Sequence, residues 1–299
     1  MVERAIGIDV GGTKIAAGVV DRDGRILRRV EQPTPTESRD EFLGVLDEIV
    51  DELRGDGIEA IGFGLPSTID QRTGRVVGSV HVPLEDFDFR DHAAERFSVP
   101  VALDNDGNAA CIAEWKIGAG RGSNHMVMRT LGTGIGGGLI LDGKPYRGSV
   151  GAGAEIGHMV LEYGGEPCGG NCTGHGHFEQ VSSGRAADRK AVELLGPGAT
   201  GRELVGEARA GNEAALGAVR EIGKRLGAAL GSLVNVFNPE VIVIGGGFSQ
   251  ARDLFLEPAL ETMKVEALPP GRDLVRVVPA LLGPDAGLVG AGFVGLEAA

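Results

Sequence analysis

Two short glycine-rich segments of the chain could bind the phosphates of a nucleotide. The first is Asp9-Val10-Gly11-Gly12-Thr13-Lys14 and the second is Gly132-Thr133-Gly134-Ile135-Gly136-Gly137-Gly138. Each segment lies between two apolar runs, which predicts two strands joined by a turn. The backbone N–H groups of such turns can bind an anion. One glycine turn alone is usually only a turn, but two of them favour a clamp on a nucleoside triphosphate. Neither fits the G-x-x-x-x-G-K-[ST] pattern of a P-loop.

The charged residues of the first segment agree with a nucleotide site. Asp9 is suited to hold Mg²⁺ through water, and Lys14 is close in sequence to the expected phosphates. A third glycine run, Gly245-Gly246-Gly247, follows an apolar strand pattern but does not match the G-x-G-x-x-G dinucleotide fingerprint.

A run of carboxylates and amides could carry acid–base chemistry. Asp104-Asn105-Asp106-Gly107-Asn108 lies where an apolar run changes into an alanine-rich helical pattern. Asp and Asn commonly cap helices, and this is the simpler interpretation. The chemical interpretation makes Asp106 the acceptor of a proton from a substrate hydroxyl that attacks phosphorus, with Asn105 bonding a neighbouring hydroxyl.

Histidines and cysteines are concentrated between residues 155 and 179. Two thiols and two imidazoles fit a closed tetrahedral zinc site, and the candidate ligands are His158, Cys168, Cys172 and His177. His175 competes with His177 for the fourth position. The segment 164–176 has few apolar residues and would need a ligand to become ordered, whereas a flexible loop with adventitious thiols is the alternative.

Composition limits the classes of partner. The chain has 299 residues, and its 29 Lys and Arg against 42 Asp and Glu give a net charge of −13, which argues against a nucleic-acid partner. The longest apolar runs are strand-sized, so we expect no membrane partner and a cytoplasmic protein. Three cysteines do not make a disulfide framework, and 51 glycines indicate backbone that approaches something closely.

Apolar periodicity predicts the elements that position these residues. In the first part it predicts strands at 4–10, 15–20, 25–32, 60–65 and 100–103 and helices at 38–53 and 108–117, the first with Ser38 and Glu41 as a capping box. In the second part it predicts strands at 126–131, 139–141, 240–244 and 274–278, a long helix at 212–237 and a terminal helix from 286. The pattern of strand, glycine turn and strand occurs twice, and no linker rich in Pro, Ser or charge separates the two halves, so we expect the hinge near residues 116–120.

Taken together, these motifs resemble the ROK sugar kinases (repressor, open reading frame, kinase) over nearly the whole chain. The resemblance implies the α/β actin-like ATPase (ribonuclease H-like) fold, with two domains around a cleft. We expect a small domain at 1–116, with the first phosphate hairpin and the catalytic aspartate. A large domain at 117–299 would carry the second hairpin, the zinc loop and the adenosine-side glycines, with the terminal helix 286–299 free to pack back on the small domain.

The resemblance also implies roles for individual residues. The expected ATP-binding residues are Asp9, Gly11, Gly12, Thr13, Lys14, Gly132, Thr133, Gly134, Gly245, Gly246 and Gly247. The expected sugar-binding residues are Asn105, Asp106, Glu155, His158 and Glu179, and His158 is also a zinc ligand in the family.

The chain departs from the family pattern at three places. The usual zinc run is C-x-C-G-x-x-G-C-x-E, whereas here alignment from Glu179 puts His177 in the place of the third cysteine. The segment Gly78-Ser79-Val80-His81-Val82-Pro83 stands where many members have an Asn-Leu pair. The repressor branch has a helix-turn-helix before the first phosphate motif, and only eight residues precede Asp9 here, so we expect no DNA-binding role.

The resemblance implies an ATP-dependent glucokinase that forms glucose 6-phosphate, with Asp106 as general base, Mg²⁺ bound with ATP and a structural Zn²⁺. Mannose, fructose or an N-acetylated hexosamine could replace glucose, and polyphosphate could replace ATP. Other classes are a sugar-binding regulator without turnover and a zinc hydrolase, for which four protein ligands are one too many. The family also suggests a homodimer or a higher homo-oligomer.

Overall fold

The computed structural model describes residues 3–298 except Asp56, Val80, Thr133, Gly170 and Asn171. The strands are β1 Arg4–Val10, β2 Lys14–Asp21, β3 Ile26–Pro33, β4 Ala60–Leu65, β5 Ser67–Asp70, β6 Arg75–Ser79, β7 Val101–Asn105, β8 Met126–Leu131, β9 Ile135–Leu141, β10 Lys144–Tyr146, β11 Val241–Gly245 and β12 Arg276–Pro279. The α-helices are α1 Arg39–Leu53, α2 Phe89–Phe97, α3 Asp106–Lys116, α4 Phe178–Val181, α5 Gly184–Leu195, α6 Gly201–Arg209, α7 Glu213–Phe237, α8 Arg252–Glu266, α9 Gly271–Leu274 and α10 Ala286–Leu296.

The first sheet has the strand order β3-β2-β1-β4-β7. Its first three strands are antiparallel, and β1, β4 and β7 are parallel. Asp9 is in register with Gly64, which is in register with Asp104. The carboxyl ends of the three parallel strands therefore lie at one edge of the sheet, where open α/β sheets usually bind ligands.

Apolar side chains cover both faces of this sheet. On one face, Phe42, Leu46 and Ile49 of α1 are buried in a core with Phe63 and Phe89, whose rings meet edge to face at 5.0 Å. On the other face, α3 and α10 pack together and against the strands, with Ile112, Leu288 and Phe293 buried. β4 is buried along its whole length, as its uninterrupted apolar sequence requires.

Glycines allow α10 to pack on the sheet at backbone distance. A methyl group on Gly7 or Gly62 would collide with the backbone of α10, and one on Gly290 would collide with the carbonyl of Ala109 in α3. Much of the glycine content therefore serves close contact between the chain's own elements.

The second sheet has the strand order β10-β9-β8-β11-β12, with β11 parallel to both β8 and β12. The long helix α7 is capped by Asn212, whose side-chain oxygen accepts the N–H groups of Ala214 and Ala215. It packs on α8 along a row of glycines spaced four residues apart, which brings the two backbones together: Gly223, Gly227 and Gly231.

The chain divides into two compact units. The first comprises residues 1–122, 137–154 and 281–299, and the second comprises residues 123–136 and 155–280. The first unit is thus discontinuous: beyond the segment 1–116 expected for the small domain, it includes 137–154 and the terminal segment, whose helix α10 packs on β1 and β4.

The elements predicted from periodicity differ from the structure at some ends. The strand predicted at 274–278 begins at Arg276, because Leu274 still belongs to the short helix α9. The helix predicted from residue 108 begins two residues earlier, at Asp106. Ser38 caps α1 by accepting the N–H of Glu41. The predicted bounds do not include the strands β5, β6 and β10 or the helices α2, α4, α5, α6, α8 and α9. No helix in the described part of the chain is long and apolar enough to cross a bilayer.

The buried carboxylate of Glu114 in α3 fastens two connecting segments of the first unit. It is fully buried, and it accepts the N–H of Ala119 at 2.8 Å and the N–H of Leu282 at 2.7 Å. We expect Glu114→Ala to lower the free energy of unfolding by about 2–4 kcal/mol, since two partly buried donors lose their acceptor and a cavity remains. Urea denaturation followed by circular dichroism measures the change.

The matched control for this substitution is Glu297→Ala in the same unit. Glu297 forms an exposed ion pair with Lys116 at 2.7 Å, and exposed pairs contribute at most about 1 kcal/mol. Equal unfolding midpoints for the Glu114 variant and the wild type would show that these two hydrogen bonds do not fasten the segments.

Candidate functional site

In the first unit, Asp9 and Asp106 lie at the carboxyl end of the parallel strands. A methyl group on Gly64 would lie 3.7 Å from Oδ1 of Asp9 and 3.6 Å from Cα of Asp106, so this glycine stands between them. Asp9 ends β1 and Asp106 begins α3, directly after β7. Parallel pairing of β1, β4 and β7 thus brings together two carboxylates that are far apart in sequence.

Asn105 has the structural role that its residue type suggests. Its Oδ1 accepts the N–H of Gly107 at 2.9 Å and that of Asn108 at 3.4 Å, so it is the N-cap of α3. The capping and chemical interpretations are compatible for this residue. Capping uses the carbonyl oxygen, and the amide nitrogen is the group that Asn105 can offer to a hydroxyl.

The first glycine hairpin presents an exposed tip. Gly12, Thr13 and Lys14 are exposed, and the turn is closed by the N–H of Gly11, which donates to the carbonyl of Lys14 at 2.9 Å. Thr34 supports the turn, because its hydroxyl donates to the carbonyl of Gly11 at 2.7 Å.

Charged and aromatic side chains border this hairpin. The Nζ of Lys14 pairs with Glu31 at 2.9 Å. His81 is exposed beside the tip, where a methyl group on Gly12 would lie 3.6 Å from its Cβ. An imidazole therefore borders the hairpin in the segment where the sequence departs from the family pattern.

Asp9 is held in a confined position. A methyl group on Gly287, in the first turn of α10, would overlap the Asp9 carboxylate. Burial raises the pKa of Asp9 to about 7, and the nearby Asp106 also raises it, while Lys14 acts in the opposite direction. A carboxyl group with this pKa is poised to lose its proton when a cation binds.

In the second unit, the second glycine hairpin and the glycine run after β11 are neighbours. The hairpin is closed by the N–H of Gly132, which donates to the carbonyl of Gly134 at 3.0 Å. Gly246 has a φ of +85° and packs on the backbone of Leu131, so a side chain there would be strained and would also clash. β11 runs parallel to β8, which places Gly245, Gly246 and Gly247 beside the start of the hairpin. Thr133, expected to bind ATP, lies outside the described residues.

Four residues of the second unit gather their ligand atoms within 4.8 Å of one another: His158, Cys168, Cys172 and His177. The Nδ1 atoms of His158 and His177 are 3.1 Å apart, and each is near one thiol, at 3.7 Å from Cys168 Sγ and 3.6 Å from Cys172 Sγ respectively. Tetrahedral zinc with bonds of about 2.0 Å to nitrogen and 2.3 Å to sulfur separates its ligand atoms by about 3.3–3.8 Å. The donor set suits zinc, and the two nitrogen–sulfur distances fall in this range while the nitrogen–nitrogen distance is slightly shorter. His177, rather than His175, belongs to the cluster.

Two expected sugar-binding residues of this unit, Glu155 and Glu179, are hydrogen-bonded to members of the cluster. Glu155 precedes a short 3₁₀ turn, Ile156–His158, and its carbonyl accepts the N–H of His158 at 3.1 Å. Glu179, in the first turn of α4, accepts the thiol of Cys168 at 3.1 Å. Its other carboxylate oxygen would lie 2.8 Å from a methyl group on Gly134. Glu179 thus stands between the cysteine cluster and the second hairpin.

The structure adds two residues to the site that sequence reasoning did not assign. Asp104 is fully buried under Asn105 and Asp106, and Arg147 donates to its carboxylate from Nε at 2.7 Å. The sequence pattern gives Asp104 no role beyond membership of the polar run 104–108. No local signal could have linked Arg147 to it, since 43 residues separate the two.

Comparison with known proteins identifies the family and the fold. The ROK family model matches residues 5–296. The glucokinase of Streptomyces coelicolor is 35% identical over 98% of this chain and 97% of its own length. The crystal structure of a ROK family glucokinase from Streptomyces griseus in complex with glucose and AMPPNP is 34% identical, with a TM-score of 0.84 over 98% of this chain and 99% of that one.

A second solved structure, the ROK hexokinase of Thermus thermophilus, is 36% identical with a TM-score of 0.88, and the match covers 98% of both chains. The fold is therefore the α/β actin-like ATPase fold that the motifs implied. Because the family model spans nearly every residue and these relatives match over almost their whole length, the chain belongs to the ROK family.

Proposed function

We propose that this chain phosphorylates the 6-hydroxyl of D-glucose with ATP. Its class follows from the family and from glucokinase relatives about 35% identical over almost the whole chain: it is a sugar kinase, a phosphotransferase. The observation that supports the specific reaction is the pairing of Asp9 with Asp106 across Gly64 at the end of the parallel strands. Asp9 can bind the cation of the nucleotide, and Asp106 can accept the proton of the attacking hydroxyl.

Asp106 is the general base in this mechanism. It accepts the proton of the 6-hydroxyl as that oxygen attacks the γ-phosphorus, and the amide of Asn105 donates to a neighbouring hydroxyl to fix the sugar's orientation. The N–H of Gly107 donates to Oδ1 of Asp106 at 2.8 Å, which holds the carboxylate in one rotamer. Such positioning is a large part of catalysis in phosphoryl transfer.

The nucleotide is bound by the backbone of the glycine hairpins. Gly12 and Thr13 are exposed at the tip of the first hairpin, and their N–H groups are suited to donate to phosphate oxygens. In the second hairpin, the backbone of Gly134 is suited to the same role. The ion-paired Lys14 stands at the end of the first hairpin. Mg²⁺, when bound with ATP, neutralises phosphate charge, and Asp9 would hold it through water.

The Cys/His cluster would hold a structural Zn²⁺ through His158, Cys168, Cys172 and His177. Four protein ligands would leave a bound zinc no open position for a substrate, so these residues would use it to order their loop and not to hydrolyse a substrate. The ordered loop then positions the imidazole of His158 and the carboxylate of Glu179. Together with Glu155, these groups bind the remaining sugar hydroxyls. Groups of this kind select a polyhydroxyl substrate over one lacking those hydroxyls.

Nucleotide binding should depend on pH through Asp9. Because the pKa of Asp9 is raised to about 7, the group is mostly protonated at pH 6 and must lose that proton to attract Mg²⁺. We expect the affinity for Mg·ADP to fall by up to about tenfold for each pH unit below 7. Calorimetry in buffers of different ionisation enthalpy should detect a released proton at pH 6 and almost none at pH 8.5.

Asp9→Asn is the control for this pH dependence. It retains the ionisation of the nucleotide itself and removes that of residue 9, so its affinity profile should be flatter than that of the wild type and weaker at high pH. Identical proton release from the variant and the wild type would mean that Asp9 does not titrate on nucleotide binding.

A coupled assay of ADP release tests the proposed reaction. With Mg·ATP, glucose should be turned over faster than mannose, fructose or N-acetylated hexosamines, and ATP should be preferred to polyphosphate. Turnover on another hexose alone would keep the mechanism and change the substrate. A folded, zinc-loaded protein that binds glucose but turns over none of these sugars would instead be a sugar-binding regulator.

A further inference from the structure

A buried ion pair lies directly beneath the proposed catalytic residues. The carboxylate of Asp104 is fully buried at the end of β7, and Arg147 donates to its Oδ2 from both Nε and Nη2, each at 2.7 Å. The Arg147 side chain is itself 29% exposed. An ion pair with one partner wholly removed from water is far costlier to break than a surface pair.

The other carboxylate oxygen of Asp104 accepts hydrogen bonds at the junction of β7 and α3, which carries Asp106. Oδ1 accepts the backbone N–H of Asn105 at 2.9 Å and the side-chain amide of Asn108 at 3.0 Å. Asp104 therefore fixes the backbone immediately before Asp106 and the helical turn immediately after it. Arg147 neutralises the charge of Asp104, and because both of its donors bind Oδ2, Oδ1 stays available to Asn105 and Asn108.

The segment that carries Arg147 is bonded to the same part of the sheet. The carbonyl of Val150 accepts the N–H of Gln71 at 2.9 Å, and the Gln71 side chain donates to the carbonyl of Leu103 in β7 at 3.1 Å. The carbonyl of Arg147 accepts the N–H of Gly153 at 2.9 Å, which closes the loop on itself. These bonds fix the backbone of the loop that carries Arg147 next to β7.

We propose that Arg147 is a positioning residue for Asn105 and Asp106, acting through Asp104. The inference rests on the proposed kinase function. Without the guanidinium, Asp104 is a buried anion without a counter-charge, and it must take up a proton or draw in water. Either change alters its bonds to Asn105 and Asn108 and displaces the base, and a shift of about 1 Å at a reacting group costs about 100-fold in rate.

The test compares Arg147→Met and Arg147→Lys with Arg75→Met. Arg75 is the matched control, because it forms a surface ion pair in the same unit with Asp86 and Asp88, at 2.7 and 2.6 Å. Each variant is measured for kcat, for the affinity of glucose and of Mg·ADP by calorimetry, and for melting temperature. We expect Arg147→Met to lower kcat by about 30- to 100-fold and to weaken glucose binding, with Mg·ADP affinity within about twofold of the wild type.

Arg147→Lys should recover part of the lost kcat, because it restores the charge without the two-pronged donor geometry. If the methionine variant does not fold, the lysine variant alone tests the proposal, and we expect its kcat to fall by about 5- to 20-fold. Asp104→Asn combined with Arg147→Met should be no slower than Arg147→Met alone, as expected of residues that act as a unit.

Three results would overturn the proposal. One is wild-type kcat and glucose affinity in a folded Arg147 variant. Another is an equal loss of glucose and Mg·ADP affinity with a lowered melting temperature, which would indicate a merely structural pair. The third is an Arg75 variant as slow as the Arg147 variants. A wild-type protein inactive on every sugar would instead contradict the proposed function, so the two failures are distinguishable.

Discussion

Asp106→Asn is expected to lower kcat by about 10²- to 10⁴-fold, the contribution typical of a positioned general base. Asparagine has nearly the same size, and its Oδ1 can still accept the N–H of Gly107 that aspartate accepts at 2.8 Å. It cannot take up the proton of the attacking hydroxyl. We therefore expect KM for glucose and the melting temperature to change little while turnover is lost. Steady-state kinetics across a glucose series separate the two parameters.

Asp91→Asn is the matched control for this substitution. Asp91 is an exposed carboxylate in the first turn of α2, in the same unit, with 77% of its side chain accessible. Its loss should leave kcat unchanged within error. If Asp106→Asn keeps kcat within tenfold of the wild type, another group must accept the proton, and the role given to Asp106 is wrong.

Loss of zinc is expected to have the second largest effect. Chelation, or His177→Ala, should remove about one zinc per chain and weaken glucose binding by at least about 10- to 100-fold. The segment 164–176 contains few apolar residues and supplies Cys168 and Cys172 to the cluster, so we expect His158 and Glu179 to lose their support together. Zinc content by atomic emission and glucose affinity by calorimetry measure both consequences.

His175→Ala is the control for the zinc experiment. His175 is exposed, and its backbone pairs with Pro167 outside the cluster. This variant should keep its zinc and its affinity for glucose. Retention of zinc in His177→Ala together with loss of zinc in His175→Ala would exchange the roles of the two histidines. Unchanged glucose affinity in a zinc-free protein would separate the metal from the sugar site.

Local patterns predicted most of the fold. The strand-turn-strand pattern around Gly11 and the long periodic helix at 212–237 are encoded in neighbouring residues, and the family comparison confirms the actin-like ATPase fold. The hairpin β5–β6 was not predicted, because its strands are only four and five residues long and one is mostly polar. Short strands carry too few positions for an alternation to be evident.

Long-range contacts within the site could not be predicted from local patterns. The pairing of Arg147 with Asp104 depends on how the loop after β10 meets β7. His175 and His177 are only two residues apart, so sequence spacing does not show which of them is the ligand. The backbone conformation decides which imidazole lies next to the two thiols. The glycine content indicates backbone that approaches something closely, and only the fold identifies the partners of the α10 glycines as the chain's own strands and α3.

The most direct test of the central claim is the identity of the reaction product. We would incubate the zinc-loaded protein with Mg·ATP and glucose and record ³¹P and ¹³C NMR spectra. The account predicts a single new phosphomonoester, coupled to carbon 6 of glucose, that accumulates in equal amount with ADP and fails to form with Asp106→Asn. ADP that appears without a sugar phosphate, or a phosphate on another carbon, would contradict it.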